Sequence, residues 1–293
     1  MFLVTGATGS LGRRIVRLLR DRDLPVRAFV RLMSKYHELE ERGAEIFVGD
    51  LNNDQDINRA ITGVRYIIST HGAGGNSQAL AYRANRELIL QGQGKDVEHF
   101  VFISVLGADR GYEDAPIFKA KREIEKMLYA GDLNYTVFRP AGFADNLLSA
   151  AERFRDTGIY LSVGHLDNRT SLVSTDDLAQ IAVDSIGRDR AYRQIFDVGG
   201  PDILKRADIP RIFARLFNQE PIIINPPLWL FDGIREGIGF FNPQTQQELG
   251  TFRTLLANEF YCNAATIERL ESAYDIKMES FESFIRRYLG AES

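Results

Sequence analysis

Three glycines, Gly6, Gly9 and Gly12, stand three residues apart in VTGATGSLGRRIV, just after a short apolar run and just before an amphipathic one. Glycines at this spacing suit one kind of chemistry. They let backbone N–H groups approach an anion unobstructed, while the positive end of the following helix points at it. In a strand–turn–helix setting that anion is the diphosphate of a dinucleotide. Gly6 allows the tight turn, Gly9 the approach of backbone to phosphate, and Gly12 the close packing of helix on strand. Thr8, Ser10 and Leu11 complete the candidate phosphate-binding set, the first two with hydroxyl donors at its rim.

The residue that discriminates between nicotinamide cofactors belongs at the end of the next strand. An NAD site places Asp or Glu there to bind the ribose 2′-hydroxyl. The sequence FVRLMSK instead offers Arg31, with Lys35 just beyond and no acid. A guanidinium grips a 2′-phosphate in bidentate fashion, whereas a carboxylate repels it. Arg13, inside the glycine turn, adds a second positive charge. The expected cofactor is NADP(H).

Other chemistries find little support. The chain has 293 residues and a net charge of −4, which gives no reason to expect nucleic acid or an anionic membrane as partner. A single cysteine, Cys262, rules out an internal disulfide and suits a reducing compartment. His37, His71, His99 and His165 lack ligand spacing, so no metal site is expected. No apolar stretch approaches the ~20 residues of a membrane span, and the opening apolar run reads as a strand from Phe2 rather than a leader. Cytoplasm or an organelle stroma is the expected location. His71 follows a strand end and is a candidate substrate ligand. Tyr112, in DRGYEDAP, is a weaker candidate proton donor that would have to swing inward. Trp229 and the Phe240–Phe241 pair are candidates for an apolar pocket or for lobe core.

Alternating elements must position these groups. FLVT leads to a helix with Leu11, Ile15, Leu18 and Leu19 on one face. PVRAFV, a polar helix over 34–42, EIFV, a helix over 54–61 and YIIS come next. A longer helix over 77–90 leads to HFVFIS, and the helix FKAKREIEKML leads to NYTVFRP. This alternation predicts an α/β fold, a Rossmann-type doubly wound and mostly parallel sheet. A Rossmann core over 1–140 and a smaller substrate-side lobe over 141–293 are expected. In that lobe STDDLAQIAVDSI reads as a helix with a Ser174-x-x-Asp177 capping box, and Asp177 as a cap residue. QIFDVGG reads as a strand near 194–198 able to rejoin the sheet, and the aromatic-rich segment 225–244 as cover for the sheet's ligand edge.

TGATGSLGRR, FVR, GDLNN, FISVLGA, AKREIEKML, YTVFRPAGFADN and STDDLAQIAV resemble the atypical short-chain dehydrogenase/reductases of the NmrA-like branch. The likeness is colinear from Phe2 to about Gly200, and YDIKMESFESFIRRYL is similar to the group's C-terminal helix. It implies that Asp50 and Leu51 lie beside the adenine and that the stretch from Ser69 and Thr70 to His71 and Gly72 lines the path to the nicotinamide. By the same resemblance, Asn85 matches an active-site helix asparagine and Ser104 the place of the catalytic serine. The resemblance also implies that Pro140, Gly142 and Phe143 close over the nicotinamide.

Catalytic members of the superfamily use Tyr-x-x-x-Lys, in which tyrosine passes the proton. Aligning Lys121 with the family lysine puts Ile117 where the tyrosine stands. Isoflavone-reductase-like members also lack that tyrosine and use a lysine, so Lys121 is the candidate acid or a ribose ligand. Its plain alternative is a solvent-side i,i+4 pair with Glu125, worth ~0.2–0.5 kcal/mol. Two functions are therefore expected to compete. One is an NADPH-dependent oxidoreductase acting on a small apolar carbonyl, quinone or alkene. The other is a non-enzymatic NADP(H)-binding redox sensor, regulator or assembly factor, for the branch also holds regulators and a plastid photosystem-assembly protein. A regulatory protein partner belongs to the second.

Overall fold

The computed structural model describes residues 1–71 and 77–290. The chain first alternates β1 (Phe2–Thr5), α1 (Ser10–Asp21), β2 (Val26–Val30), α2 (His37–Glu41), β3 (Glu45–Val48), α3 (Asp54–Ile61) and β4 (Tyr66–Ser69). It continues with α4 (Ser77–Gln93), β5 (His99–Ile103), α5 (Pro116–Ala130) and β6 (Tyr135–Pro140). The second half holds α6 (Leu148–Thr157), β7 (Ile159–Leu161), β8 (Arg169–Thr170), α7 (Thr175–Asp184), β9 (Gln194–Val198) and β10 (Leu204–Lys205). It closes with α8 (Asp208–Phe217), β11 (Ile222–Ile224), α9 (Leu228–Gly239), α10 (Pro243–Ala257), α11 (Ala264–Tyr274) and α12 (Phe281–Leu289).

Seven parallel strands form the central sheet in the order β3-β2-β1-β4-β5-β6-β9. This is the doubly wound Rossmann arrangement with one strand added. β1 and β5 are buried along their whole length, as strands covered by helices on both faces must be. One face packs α1 and α7 through Ile15, Leu19, Leu178 and Ile181. The other packs α3, α4 and α5 through Ile57, Leu88 and Ile124. The helix expected over 34–42 is shorter, beginning at His37 after a turn in which Ser34 donates to the Arg31 carbonyl.

The second half does not stay apart from this sheet. Its strand β9 pairs with β6, and α7 lies against α1. Around Phe154, Phe213, Phe281 and Phe284, helices α6, α8 and α12 build a separate aromatic core. The hairpin α9–α10 leans on α5, and α9 buries none of its residues fully. Trp229, Phe240 and Phe241 are 70%, 87% and 92% exposed, so they are neither pocket lining nor lobe core. They lie beyond the reach of the second half's packed layers. No helix among the described residues is long and apolar enough to cross a membrane.

Candidate functional site

The strand order reverses between β1 and β4, which opens a crevice at their C-terminal ends. The glycine turn occupies one lip. Gly6 has φ +72°, and a Cβ there would come within 2.7 Å of the His71 nitrogen and Thr70 Oγ1. A Cβ on Gly12 would fall 2.2 Å from the Gly6 oxygen, whereas one on Gly9 would meet only that oxygen, at 3.3 Å. Helix and strand therefore leave no room at Gly12, while Gly9 faces open space at the N-terminus of α1. That cradle fits a diphosphate. Leu11 is buried beneath it, and Thr8 stands half-exposed at its edge.

Several rim groups hold one another. Ser10 donates its hydroxyl to Asp145, which also accepts from Thr175 and pairs with Arg14 at 3.0 Å. Arg14 reaches Asp176 at 2.7 Å and the Tyr288 hydroxyl as well. Asp145 thus ties the turn to the second half, a role that FADN did not reveal. Arg13 is not a spare cation. Its guanidinium pairs with Glu38 at 2.7 Å. Among the described residues no carboxylate pairs with Arg31, at the end of β2, or with Lys35, in the loop beyond it. Asp50 and Leu51 follow β3, where Asp50 receives the Asn52 N–H and gives its own to Asp56.

Beneath the crevice lies a buried polar ring. His71 Nδ1 meets Thr5 Oγ1 at 2.8 Å, and Asn85 Nδ2 donates to His71 Nε2 at 3.0 Å and to the Ala81 carbonyl at 2.7 Å. Ser69 donates to Asn85 Oδ1 at 2.6 Å. With the amide so placed, His71 carries its proton on Nδ1 and gives it to Thr5. Burial, reinforced by the Lys121 charge, pulls this imidazole down to about 3. His71 is therefore a neutral strut whose nitrogens are both engaged. Thr70 donates to the Thr5 carbonyl at 2.9 Å. Gly72, also expected on this path, lies outside the described residues.

Lys121 is buried rather than paired on the surface. Its Nζ donates to the Ile103 carbonyl at 2.7 Å and sits 4.6 Å from the centre of the Phe102 ring. Burial lowers its amine to about 8, against a weaker upward pull from Glu125. Glu125 itself turns away to Arg139 at 2.8 and 2.7 Å and accepts the Ser104 hydroxyl at 2.6 Å. The solvent-side pair is thus overturned, because both side chains are buried. Tyr112 is held edge-on to Phe118 and near Phe260, so it does not swing inward. Asp177 caps nothing in its own helix. Ser174 caps α7 alone, while Asp177 accepts the Glu279 N–H at 2.7 Å, its carboxyl pushed up to about 6 by burial.

From Pro140 the chain crosses as a strap. Val173 donates to the Gly142 carbonyl at 2.9 Å, and Phe143 bridges to Val173. Behind Gly142 and Phe143 opens a cavity of about 500 Å³, lined mainly by Leu147, Tyr160, Leu172, Leu255 and Phe260. Its charged neighbours are spent elsewhere. Arg206 gives its N–H groups to the carbonyls of Val163, Leu255, Leu256 and Asn258, and Arg169 pairs with Glu259.

The model of a family described as NAD(P)H-binding matches residues 6–189, from the glycine turn through α7. The chain belongs to this NAD(P)H-binding family. Within it the chain is 30% identical over 253 residues to the photosystem II assembly factor Ycf39 of Cyanophora paradoxa, covering 82% of this chain and 75% of that one. It is 30% identical over 213 residues to the NAD(P)H azoreductase of Xenophilus azovorans, 71% of each chain. The NADPH-dependent quinone oxidoreductase QOR2 of Escherichia coli, solved with NADPH, shares the fold at a TM-score of 0.81 and 17% identity, over 99% of this chain and 100% of that one. The chain also shares the fold of the Citrobacter sp. triphenylmethane reductase solved with NADP(H), at a TM-score of 0.79 and 15% identity over 98% of this chain and 99% of that one.

Proposed function

We propose that this chain is an NADPH-dependent oxidoreductase that reduces a small apolar carbonyl, quinone or alkene, in the cytoplasm or an organelle stroma. The observation that carries the reading is the buried, proton-bearing Lys121 of α5, bonded to the last carbonyl of β5, while the cavity behind the Gly142–Phe143 strap offers apolar space for a substrate. Bound NADPH would supply a hydride. Gly6, Thr8, Gly9, Ser10, Leu11 and Gly12 hold the diphosphate, and Arg31 with Lys35 receives the 2′-phosphate. Asp50 and Leu51 bound the adenine. Ser69, Thr70 and Ser104 floor the crevice, with Pro140, Gly142 and Phe143 across it. Lys121 spends one of its three ammonium protons on Ile103, which leaves two for a ribose hydroxyl and the substrate oxygen. Support comes also from relatives named for azo and quinone reduction.

A second reading is a non-enzymatic NADP(H)-binding sensor, regulator or assembly factor. Ile117 at the tyrosine position favours it, as do the exposed Trp229, Phe240 and Phe241, which suit a protein partner better than a pocket. The relative named as a photosystem II assembly factor points the same way.

One experiment separates the two. NADPH oxidation is followed with a panel of quinones, aldehydes and enones, alongside calorimetric titration of both cofactors into wild type and Arg31→Glu. The enzyme requires turnover of some acceptor and an NADPH preference that Arg31→Glu removes. Tight NADPH binding with no turnover across the panel establishes the sensor.

A further inference from the structure

The 2′ side of the crevice holds a carboxylate that the end of β2 does not announce. Glu38, in the first turn of α2, meets Arg13 Nη1 at 2.7 Å and Arg17 Nε at 2.6 Å, and Arg42 stands 3.4 Å away. Arg13 also donates to the carbonyls of Thr8 at 3.4 Å and Lys35 at 3.1 Å. Its guanidinium therefore spans the glycine turn and the loop after β2, the two segments that bracket the ribose position. Hydrogen bonds to Glu38, Thr8 and Lys35 thus already hold that guanidinium.

We propose that Glu38 is a specificity-determining residue, the resident counter-ion of Arg13 that competes with the cofactor's 2′-phosphate and leaves Arg31 and Lys35 to read it. The inference rests on the cofactor reading given above. Hydrogen bonds from Arg17 and then Arg13 hold the Glu38 carboxyl down at about 2, so it stays charged at every working pH. A carboxylate and a phosphate cannot both take the same N–H groups of Arg13. The phosphate must either displace Glu38 or lie beside it at repulsive range. Both burden NADPH. Neither burdens NADH, whose neutral 2′-hydroxyl can donate to a carboxylate. The acid that marks an NAD site is thus supplied by α2 instead of the strand end, and preference for NADPH is smaller than three free cations would give.

Isothermal titration of NADPH and NADH into wild type, Glu38→Gln and Glu38→Ala tests this. Removing a charge one side chain from the phosphate should tighten NADPH about fivefold or more, with NADH unchanged or weaker. Glu41→Gln, which removes the same charge from the exposed end of α2, should leave the NADPH-to-NADH ratio at the wild-type value. Thermal unfolding verifies that each variant is folded. An unchanged ratio or weaker NADPH binding in both Glu38 variants overturns the proposal, as does an equal gain in Glu41→Gln. Wild type that binds neither cofactor would instead sink the cofactor reading itself.

Discussion

Glu125 grips the Arg139 guanidinium at both ends, at 2.8 and 2.7 Å, while the same carboxylate accepts the Ser104 hydroxyl. Both side chains are buried, and Asp109 at 2.6 Å supplies Arg139 with a second, partly exposed anion. Removing Glu125 leaves a buried cation with only the partly exposed Asp109 and, at 3.8 Å, Asp197. Glu125→Ala is expected to cost about 3–5 kcal/mol, read by denaturant unfolding. The double variant Glu125→Met with Arg139→Leu should recover much of the loss, since the charges it leaves, Asp109 and Arg122, are partly exposed. A loss below about 1 kcal/mol in Glu125→Ala would mean that water already reaches the pair.

Lys121 has an alkaline signature. Its amine lies at about 8 when folded and near 10.5 in the unfolded chain. Between those values the unfolded chain binds more protons, so stability rises with pH across the window. The cost of burying the ammonium is fully present below pH 8 and amounts to at most about 3 kcal/mol. Unfolding of wild type and Lys121→Met, compared at pH 7.5 and 9.5, should show the wild type gaining relative to the variant. Parallel curves would show that Lys121 is solvated.

In turnover the same group acts the other way. An acid loses effect as it deprotonates, so kcat should fall as pH rises through about 8. Lys121→Ala should lower kcat by ~10²-fold or more at neutral pH, with a smaller change in NADPH affinity. Retention of turnover in that variant would remove Lys121 from the chemistry.

Two glycines separate folding from binding. A Gly9→Val chain should fold normally yet lose both cofactors, because its side chain enters the cradle and little else. Gly12→Ala should fail earlier, in the fold, with a Cβ set against the Gly6 oxygen. Circular dichroism with calorimetric titration checks both. Normal NADPH binding by folded Gly9→Val would misplace the diphosphate.

Acid should loosen the sheet through His99. Burial pulls its imidazole from the ordinary 6.5 to about 4. The unfolded chain therefore binds more protons between those values, and stability falls as pH drops through that window, by at most about 3 kcal/mol. His99→Phe, which keeps a ring against Tyr192, should flatten this slope. An unchanged slope would assign the acid sensitivity to other groups, His71 foremost.

Elements with a strong local signature were readable. The apolar runs at Phe2–Thr5, His99–Ile103 and Tyr135–Pro140 are strands because only a doubly covered sheet hides such segments, and their alternation with helices dictates parallel order. The glycine turn was equally plain, since its spacing is itself the geometry. What escaped depends on partners far along the chain. Glu38 reaches back 25 residues to Arg13, and Asp145 reaches back 135 to Ser10, with no pattern linking either pair. Lys121 and Glu125 occupy one helix face, yet tertiary burial sends one to a carbonyl and the other to Arg139. Trp229 and Phe240 read as interior by hydrophobicity, but α9 packs on too little to bury them.

Arg14 and Tyr288 meet across 274 residues of chain, with Arg287 joining through Asp176. The helix that presents the glycine turn is therefore fastened in part by a segment far along the chain. A nascent chain displays the turn long before this fastening. Until α12 emerges, Arg14 lacks its aromatic partner and the turn is braced by Asp145 and Asp176 alone. A chain cut short before α12 should therefore carry the motif with part of its bracing missing.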